Sequence, residues 1–251
     1  MSLRPSDISP SRVRELEAGL NDSRNLAELL AMDFGRLMRA ACPALPAAAA
    51  SAFDELGRAG IIQRMELGGK LLTQHAPKDL DSLAASPSDV VRSWACYAAV
   101  RERRSTLRQR LARVRPFADD ANSGVREWAW MALRPALISE LPLALDLLAP
   151  WTSSTSANVR RFATEATRPR GVWCSHITAL KSDPQPAIAL LEPLRADASK
   201  YVQDSVSNWL NDAAKSRADW VRALVQQWRR ERSSAATARI CRRALRTCGE
   251  A

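Results

Sequence analysis

Apolar residues recur along the chain at positions i, i+3, i+4 and i+7, and Gly or Pro tends to fall between such segments. Alanine, leucine and arginine dominate, and alternating runs of Val, Ile and Thr are almost absent. This pattern predicts an all-α protein. Two long helical segments, Arg12 to Arg39 and Ala47 to Gln74, are separated by Pro43 and Pro46 and predict an N-terminal helical cap.

An internal repeat follows this cap. Segments that begin at Val91, Val125 and Val159 recur every 34 residues, each with Arg directly after the valine and Trp or Phe three residues after it. A degenerate fourth copy begins at Val202 after an interval of 43 residues, which predicts an inserted loop. A fifth copy is predicted near residues 239–245.

Helix-loop-helix units of this period predict a HEAT-like repeat α-solenoid. In each unit we expect the first helix, such as Ser105 to Phe117 or Ile138 to Leu148, on the convex side and the Val-Arg helix on the concave side. The repeats predict one domain over residues 1–251, with N-terminal helices at 1–76 and Val-Arg helix repeats at 77–251.

The apolar stripe of each Val-Arg helix is expected to form the core. Trp94, Trp128 and Phe162 lie on this stripe. The arginine after each valine is expected to bond to Asp or Asn of the preceding turn, as in a structural ladder. This prediction pairs Arg92 with Asp89, Arg126 with Asn122, and Arg160 with Asn158.

The opposite face of these helices collects charged and polar side chains, because positions two, six and nine after each valine project together. We expect a concave surface with several arginines around a few carboxylates. A solvated face with Glu–Arg pairs between repeats is the alternative. The residues on this face are Glu127, Met131, Arg134, Arg161, Glu165, Arg168, Asp204, Asn208 and Asn211, with Asp212 beside them.

The charge balance points to an anionic partner. The chain has 37 Lys and Arg against 27 Asp and Glu, a net charge of +10. Clusters of arginine are expected of a protein that binds a phosphate backbone, although a solvated arginine-rich surface is the alternative. The clusters contain Arg101, Arg103, Arg104, Arg108, Arg110, Arg113 and Arg115, and then Arg229, Arg230, Arg232, Arg239, Arg242, Arg243 and Arg246.

Several other kinds of chemistry lack sequence support. The five cysteines form no CxxC pair and no zinc-ligand spacing, so we expect reduced thiols and no metal site. P-loop, GxGxxG, GxSxG and HExxH motifs are absent, and no cofactor is implied. Since no apolar run approaches the length of a membrane span and no signal-peptide pattern is present, we expect a cytoplasmic protein without a membrane partner.

Two runs in the repeat region resemble a known family. The run over 159–173, VRRFATEATRPRGVW, resembles the signature VRR-x-A-S/T-E-x-S/T-RPR-x-x-W of the AlkC-like branch of the DNA alkylation-repair glycosylases. The run over 201–215 resembles that branch's YV-x-x-SV-x-N-x-LND-x-x-K signature. The similarity extends roughly from Ala31 to Trp228.

This resemblance implies a C-shaped solenoid that clasps duplex DNA as a monomer and is associated with the nucleoid. It further implies that the protein removes positively charged N-alkylated bases, of the 3-methyladenine or 3-methylcytosine type, by hydrolysing the glycosidic bond. A carboxylate that stabilises the sugar cation and positions water would supply much of this catalysis.

The resemblance also implies catalytic residues. Glu127 matches the acidic position of the family's VRE-aromatic segment and is expected to be a catalytic carboxylate. Asp212 is the second candidate acid. Glu165 is the third, with the alternative that it only serves as the counter-ion of Arg161 and Arg168.

The expected DNA contacts are of two kinds. Arginines would bind phosphates, and Trp173 would pack against DNA or the lesion, where an aromatic face attracts a cationic base. The expected DNA-binding residues are Arg134, Arg161, Arg168, Arg170, Trp173 and Asn208.

The chain departs from the family pattern in three places. Gln203 and Asp204 stand where relatives tend to be basic, Gly171 and Val172 replace Leu-Pro, and Trp209 replaces a smaller or polar residue. These changes are expected to alter lesion selectivity or to mark a non-catalytic paralogue that binds branched or damaged DNA. A protein-interaction scaffold, a common role of HEAT-like arrays, is the third hypothesis.

Overall fold

A computed structural model describes almost the whole chain, namely residues 3–57, 59–102, 104–231 and 234–249. These residues form helices and connecting turns without any β-strand, which confirms the all-α prediction. No helix in this part of the chain is long and apolar enough to span a membrane. Arg103 and Arg232, two members of the predicted basic clusters, lie outside the described residues.

The chain divides into two compact units, residues 1–132 and 133–251, and each is described by itself. The first unit contains a short 3-10 helix, Pro5–Asp7, and a series of α-helices, the last of which continues past the unit boundary. These are α1 (Pro10–Glu17), α2 (Leu26–Ala31), α3 (Phe34–Ala41), α4 (Ala47–Glu55), α5 (Ile61–His75), α6 (Leu80–Ala84), α7 (Asp89–Arg101), α8 (Leu107–Ala118) and α9 (Ser123–Ser139).

The N-terminal helices are shorter than the apolar pattern predicts. The segments Arg12 to Arg39 and Ala47 to Gln74, predicted to form the N-terminal helical cap, are each divided into shorter helices. Gly19 follows α1 at a φ of 71°, and Gly57 follows α4 at a φ of 50°. Both values lie in the left-handed region that favours glycine, and this accounts for the helix ends.

Helices α5 and α7 pack closely against one another in the first unit. A Cβ atom at Gly68 would clash with the indole ring of Trp94, so the glycine allows this close approach. Trp94 is fully buried, with its ring 5.6 Å from Phe53 and 5.8 Å from Phe34. The same stripe position is buried in the next two repeats, which confirms the predicted core residues Trp128 and Phe162.

The second unit is built around a long central helix, which packs against four other α-helices. The α-helices of this unit are α10 (Leu141–Leu148), α11 (Ala157–Glu165), α12 (Thr178–Ser182), α13 (Ile188–Leu191), the central α14 (Lys200–Ala214), α15 (Ala218–Glu231) and α16 (Ala235–Ala244). Three 3-10 helices, Ala149–Ser153, Gln185–Ala187 and Glu192–Leu194, complete it.

Residues 166–177 connect α11 to α12, and the last nine of them, residues 169–177, form a loop. The amide of Ile177 donates to the carbonyl oxygen of Pro169 at 3.0 Å and closes the loop at its base. The interval from Val159 to Val202 exceeds the regular period by the same nine residues. We therefore identify this loop, called the Trp173 loop below, with the insertion expected from the repeat spacing.

The predicted arginine ladder is present, but its carboxylates come from a different turn. Arg92 donates two hydrogen bonds to Asp120, at 2.8 and 3.0 Å, and Arg160 donates two to Asp197, at 2.6 and 3.0 Å. Both aspartates belong to the turn that begins the following Val-Arg helix. The predicted pairing of Arg92 with Asp89 is wrong, because the long arginine side chain reaches forward to a carboxylate that accepts both prongs of its guanidinium.

We expect Asp197→Asn to lower the free energy of unfolding by about 1.5–3 kcal/mol, the range for hydrogen bonds to charged groups. Asparagine keeps an oxygen for the Ser199 amide, which donates to Asp197 at 2.8 Å, so the change isolates the pair with Arg160. Urea unfolding measures the effect. Asp219→Asn breaks an exposed pair with Arg217 and should leave the midpoint unchanged. Equal shifts in the two variants would contradict a special role for the ladder.

Candidate nucleic-acid interface

Arg168 lies between two buried carboxylates in the second unit. Its Nη1 donates to Oε1 of Glu165 at 2.7 Å, and its Nε and Nη2 lie 2.9 and 2.7 Å from Oδ2 of Asp212. Glu165 ends α11, Arg168 follows three residues later, and Asp212 belongs to α14, which packs against α11. The structure thus brings together residues from the two sequence runs that carry the family resemblance.

Glu165 is held as an anion by its neighbours. Its side chain is only 5% exposed, it accepts a hydrogen bond from the Ser205 hydroxyl at 2.7 Å, and Arg161 lies 3.5 Å away. Burial alone would raise the pKa of Glu165, but the charges of Arg161 and Arg168, with hydrogen bonds from Arg168 and Ser205, bring this pKa below its usual value. This environment fits the counter-ion role that was the alternative for Glu165.

Asp212 is similarly enclosed. The residue is 3% exposed, and its carboxylate faces Arg168 and the ammonium group of Lys215, which is 3.2 Å from Oδ1. In this arrangement neither Asp212 nor Glu165 presents an open carboxylate to a sugar or to bulk water. Of the three candidate acids, Glu165 and Asp212 are buried and Glu127 is partly exposed.

Glu127 lies on α9 within the first unit. It is partly exposed, and its Oε2 accepts a hydrogen bond from the indole Nε1 of Trp130 at 2.8 Å. Trp128 and Trp130 are both buried, so their packing fixes this part of the helix. The carboxylate therefore has a set orientation and remains accessible, which a group that stabilises a developing cation requires.

The arginines expected to bind phosphate differ in how they are placed. The Arg161 guanidinium lies over the ring of Tyr201, 4.4 Å from its centroid. Arg170 donates to the carbonyl oxygen of Asp212 at 3.3 Å and to the hydroxyl of Ser216 at 2.7 Å. Both side chains are held beside α14, and both are partly exposed.

Trp173 is the most prominent apolar side chain of the Trp173 loop. It is 58% exposed, and its neighbour Val172 is 54% exposed. Its φ of 62° makes it a non-glycine residue in the left-handed region. An exposed aromatic ring in this conformation fits the predicted contact with DNA.

Arg134 needs a different interpretation from the one its sequence position suggested. It is 1% exposed, and its guanidinium donates to the carbonyl oxygens of Ala166, Arg168 and Ser175. A side chain so enclosed offers no donor to a phosphate. The expected direct DNA contact is therefore corrected to an internal role.

Asn208, the last expected DNA contact, lies beside a row of arginines to which the sequence assigned no individual role. Its side-chain oxygen accepts from Arg246 at 3.0 Å, and Asp204, one turn earlier on α14, accepts from Arg239 at 2.7 Å and pairs with Arg243 at 3.2 Å. The three arginines are spaced i, i+4 and i+7, so they lie in a row on one face of a helix. A helical wheel of the fifth repeat could have identified them. This row adds positive charge beside the polar face of α14.

Comparisons with known proteins agree with this geometry. Residues 70–246 match the family described as DNA alkylation repair enzyme. The chain belongs to this family, and the family expected from the two sequence runs is confirmed.

Solved structures show a similar fold. The chain is 25% identical to Pseudomonas fluorescens AlkC, an alkylpurine DNA glycosylase bound to DNA containing an abasic site analog, with a TM-score of 0.71 over 98% of this chain and 65% of AlkC. It is 22% identical to AlkD2 from Streptococcus mutans, with a TM-score of 0.60 over 96% of this chain and 99% of AlkD2. The predicted helical-repeat fold is thereby confirmed.

One curated relative matches over a shorter region. The uncharacterized protein YhaZ of Bacillus subtilis is 47% identical over 62 residues, which are 25% of this chain and 17% of YhaZ. The matches therefore span 65% of the length of AlkC and 17% of the length of YhaZ.

Proposed function

We propose that this protein excises positively charged N-alkylated bases from duplex DNA by hydrolysing the N-glycosidic bond. Membership of the DNA alkylation repair family and the likeness to the alkylpurine DNA glycosylase AlkC support the proposal. The observation that carries it is the exposed side chain of Trp173, on a loop that contains Arg170 and directly follows Arg168 in the second unit. The expected lesions are of the 3-methyladenine or 3-methylcytosine type.

The chemistry requires little from the protein because the lesion is already a good leaving group. A cationic base takes both electrons of the bond to C1′ and leaves as a neutral molecule. The oxygen of water then bonds to C1′, and a proton of that water is transferred to a carboxylate that acts as the general base. We assign to Glu127 the roles of stabilising the positive sugar and accepting this proton, while Trp130 holds its carboxylate.

Binding of the duplex is assigned to the second unit. Arg161, Arg170 and Arg246 supply positive charge for phosphates, and Arg168 supports them from within the ion-pair cluster. Trp173 packs against DNA or the lesion, where the face of its indole attracts a cationic base. Affinity that depends on phosphate contacts falls as the salt concentration rises.

Other expectations accompany this proposal. One copy of the chain is sufficient to bind a duplex, so we expect a monomer with a single domain over residues 1–251. Hydrolysis of this bond by water and a carboxylate needs no metal or nucleotide cofactor. A cytoplasmic protein associated with the nucleoid would meet this DNA substrate.

A non-catalytic protein that binds branched or damaged DNA is the second candidate. The observation that favours it is the burial of Glu165 and Asp212, whose carboxylates are both paired with Arg168. Such a protein would keep the arginines and Trp173 for binding and would form no abasic sites.

Mass spectrometry of free bases distinguishes these functions. The protein is incubated with DNA carrying 3-methyladenine, 7-methylguanine, 3-methylcytosine or 1-methyladenine. Release of at least one of them is the expected result. Salt-dependent binding without release would favour the second candidate, and failure to bind DNA at moderate salt would favour a protein-interaction scaffold.

A further inference from the structure

The backbone of the Trp173 loop holds an exposed ring in an unusual conformation. A bulky residue with positive φ is a steric outlier and persists where the surrounding structure determines it. Trp173 has a φ of 62°, yet the residue is 58% exposed, so burial of its side chain is not what fixes this conformation. We attribute this backbone conformation to the contacts that the loop backbone makes.

Arg134 supplies three of these contacts from inside the second unit. Its Nη1 donates to the carbonyl oxygen of Ala166 at 2.9 Å, its Nη2 to that of Arg168 at 2.6 Å, and its Nε to that of Ser175 at 3.0 Å. The first two oxygens lie between the end of α11 and the start of the loop, and the third lies on the returning side of the loop. One planar guanidinium thus joins the two sides of the Trp173 loop. A lysine ammonium lacks the forked arrangement of donors that this requires.

The loop folds tightly over this guanidinium. A Cβ atom at Gly171 would clash with Sγ of Cys174 and would lie 3.2 Å from Cζ and Nη2 of Arg134. Glycine in place of the family's leucine therefore has a steric reason here. The polypeptide turns directly on top of the arginine and carries Trp173 outward.

The segment before the loop is anchored separately. Trp209 is fully buried, and its Nε1 donates to the carbonyl oxygen of Thr167 at 3.0 Å. Trp209, which departs from the family pattern, is therefore a core residue that fixes the segment between α11 and the loop and makes no contact with solvent. The start of the Trp173 loop is consequently rigid, and Arg134 connects that rigid start to Ser175.

From these contacts we infer that Arg134 is a positioning residue, which holds Trp173 where it contacts the lesion and acts on base excision only through this loop. The inference rests on the proposed function. It separates two tasks in the second unit, since Arg161, Arg170 and Arg246 would supply affinity for any duplex whereas Arg134 and Trp173 would supply recognition of the damaged position.

The test is a double-mutant cycle of Arg134→Lys and Trp173→Ala, read out as the single-turnover rate of base release. Misplacement by about 1 Å can cost on the order of 100-fold in rate, and we expect a loss of this size for Arg134→Lys. In the Trp173→Ala background the same change should cost nothing more. Affinity for undamaged duplex should stay unchanged, and Arg14→Lys, at an exposed position on α1 outside the arginine clusters, is the matched control.

Hydrogen exchange gives a second readout, independent of activity. Peptides over residues 169–177 should exchange faster in Arg134→Lys, while peptides from α14 keep their protection. Gly171→Ala, which disturbs the loop without changing the arginine, should produce the same pattern and the same loss of rate. Gly171→Ala replaces Arg134→Lys as the test variant if Arg134→Lys fails to fold.

The outcomes separate the inference from the function on which it rests. Unchanged exchange over residues 169–177 in Arg134→Lys overturns the inference, and so does an equal loss of rate with and without Trp173. If the wild-type protein releases no base from any lesion, the proposed function is wrong. The double-mutant cycle of Arg134→Lys and Trp173→Ala is then measured as affinity for DNA with an abasic site. Additive losses of affinity in the double variant overturn the inference, whereas a loss no larger than that of either single variant upholds it.

Discussion

Arg168→Met is expected to lower the free energy of unfolding by about 3–5 kcal/mol, the usual result of removing one partner from a buried ion pair. The arginine side chain is 14% exposed and lies between Glu165 and Asp212, whose side chains are 5% and 4% exposed. Two buried carboxylates would then share the remaining cations Arg161 and Lys215. Urea unfolding at neutral pH measures the effect.

The matched control for this change is Arg170→Met, two residues further along the same run. It removes the same charge, but Arg170 donates to the backbone oxygen of Asp212 and to the hydroxyl of Ser216. It forms an ion pair with neither buried carboxylate. We expect a loss of about 1 kcal/mol, the value for an ordinary hydrogen bond. Similar losses in the two variants would show that the buried cluster does not stabilise the fold as described.

The pH dependence of stability supplies an internal check on Arg168→Met. In the wild-type protein the pKa of Glu165 is below its usual value, so this residue stabilises the fold above its unfolded pKa of about 4.3, and the contribution is lost as the pH falls through the folded pKa. Without Arg168, the charge and the hydrogen bond of this arginine no longer lower the pKa of Glu165, while burial still raises it and Arg161 and Ser205 still lower it. The pKa of Glu165 should therefore rise toward its unfolded value, so less stability is lost as the pH falls, and parallel pH profiles of the two proteins would contradict this account.

Glu127→Gln is expected to reduce the single-turnover rate of base release by about 10²–10³-fold, the usual result of losing a group that stabilises charge in the transition state. Glutamine keeps an oxygen that can accept from Trp130, so folding should be preserved while the negative charge is lost. Glu66→Gln, at an exposed position on α5, is the control and should leave the rate unchanged.

An unchanged rate in Glu127→Gln would remove Glu127 from the reaction. Asp212→Asn then becomes informative, because a loss of rate confined to that variant would move the catalytic role to the second acid. The salt bridges of Asp212 with Arg168 and Lys215 make it necessary to measure the stability of this variant in parallel.

The repeat architecture and its core could be predicted because both depend on local periodicity. Val91, Val125 and Val159 mark helices whose apolar stripe is buried as expected, and Trp94 lies in the core for the reason that its position indicates. The partner of Arg92 could not be found in this way. Arg92 pairs with Asp120, 28 residues away on the next turn, and with Asp22, 70 residues away, so the pairing depends on how segments distant in sequence pack together.

The candidate site was predicted less completely, for a related reason. A helical wheel places Glu165, Arg168 and Asp212 on polar faces, and the structure does bring them together. Their burial arises from neighbouring segments that are distant in sequence. Arg134 also follows the polar periodicity, but it binds carbonyl oxygens of an irregular loop, and a wheel contains no information on where such a loop folds.

The central claim is that the positive charge of the lesion makes it a substrate, and the most direct test compares lesions of different charge. Duplexes of identical sequence carry either 7-methylguanine or 3-methyladenine, which are cationic in DNA, or the neutral O6-methylguanine. The free base is quantified by mass spectrometry under single-turnover conditions. The account predicts release of a cationic base and none of the neutral one, whereas equal release of both, or binding without any release, would contradict it.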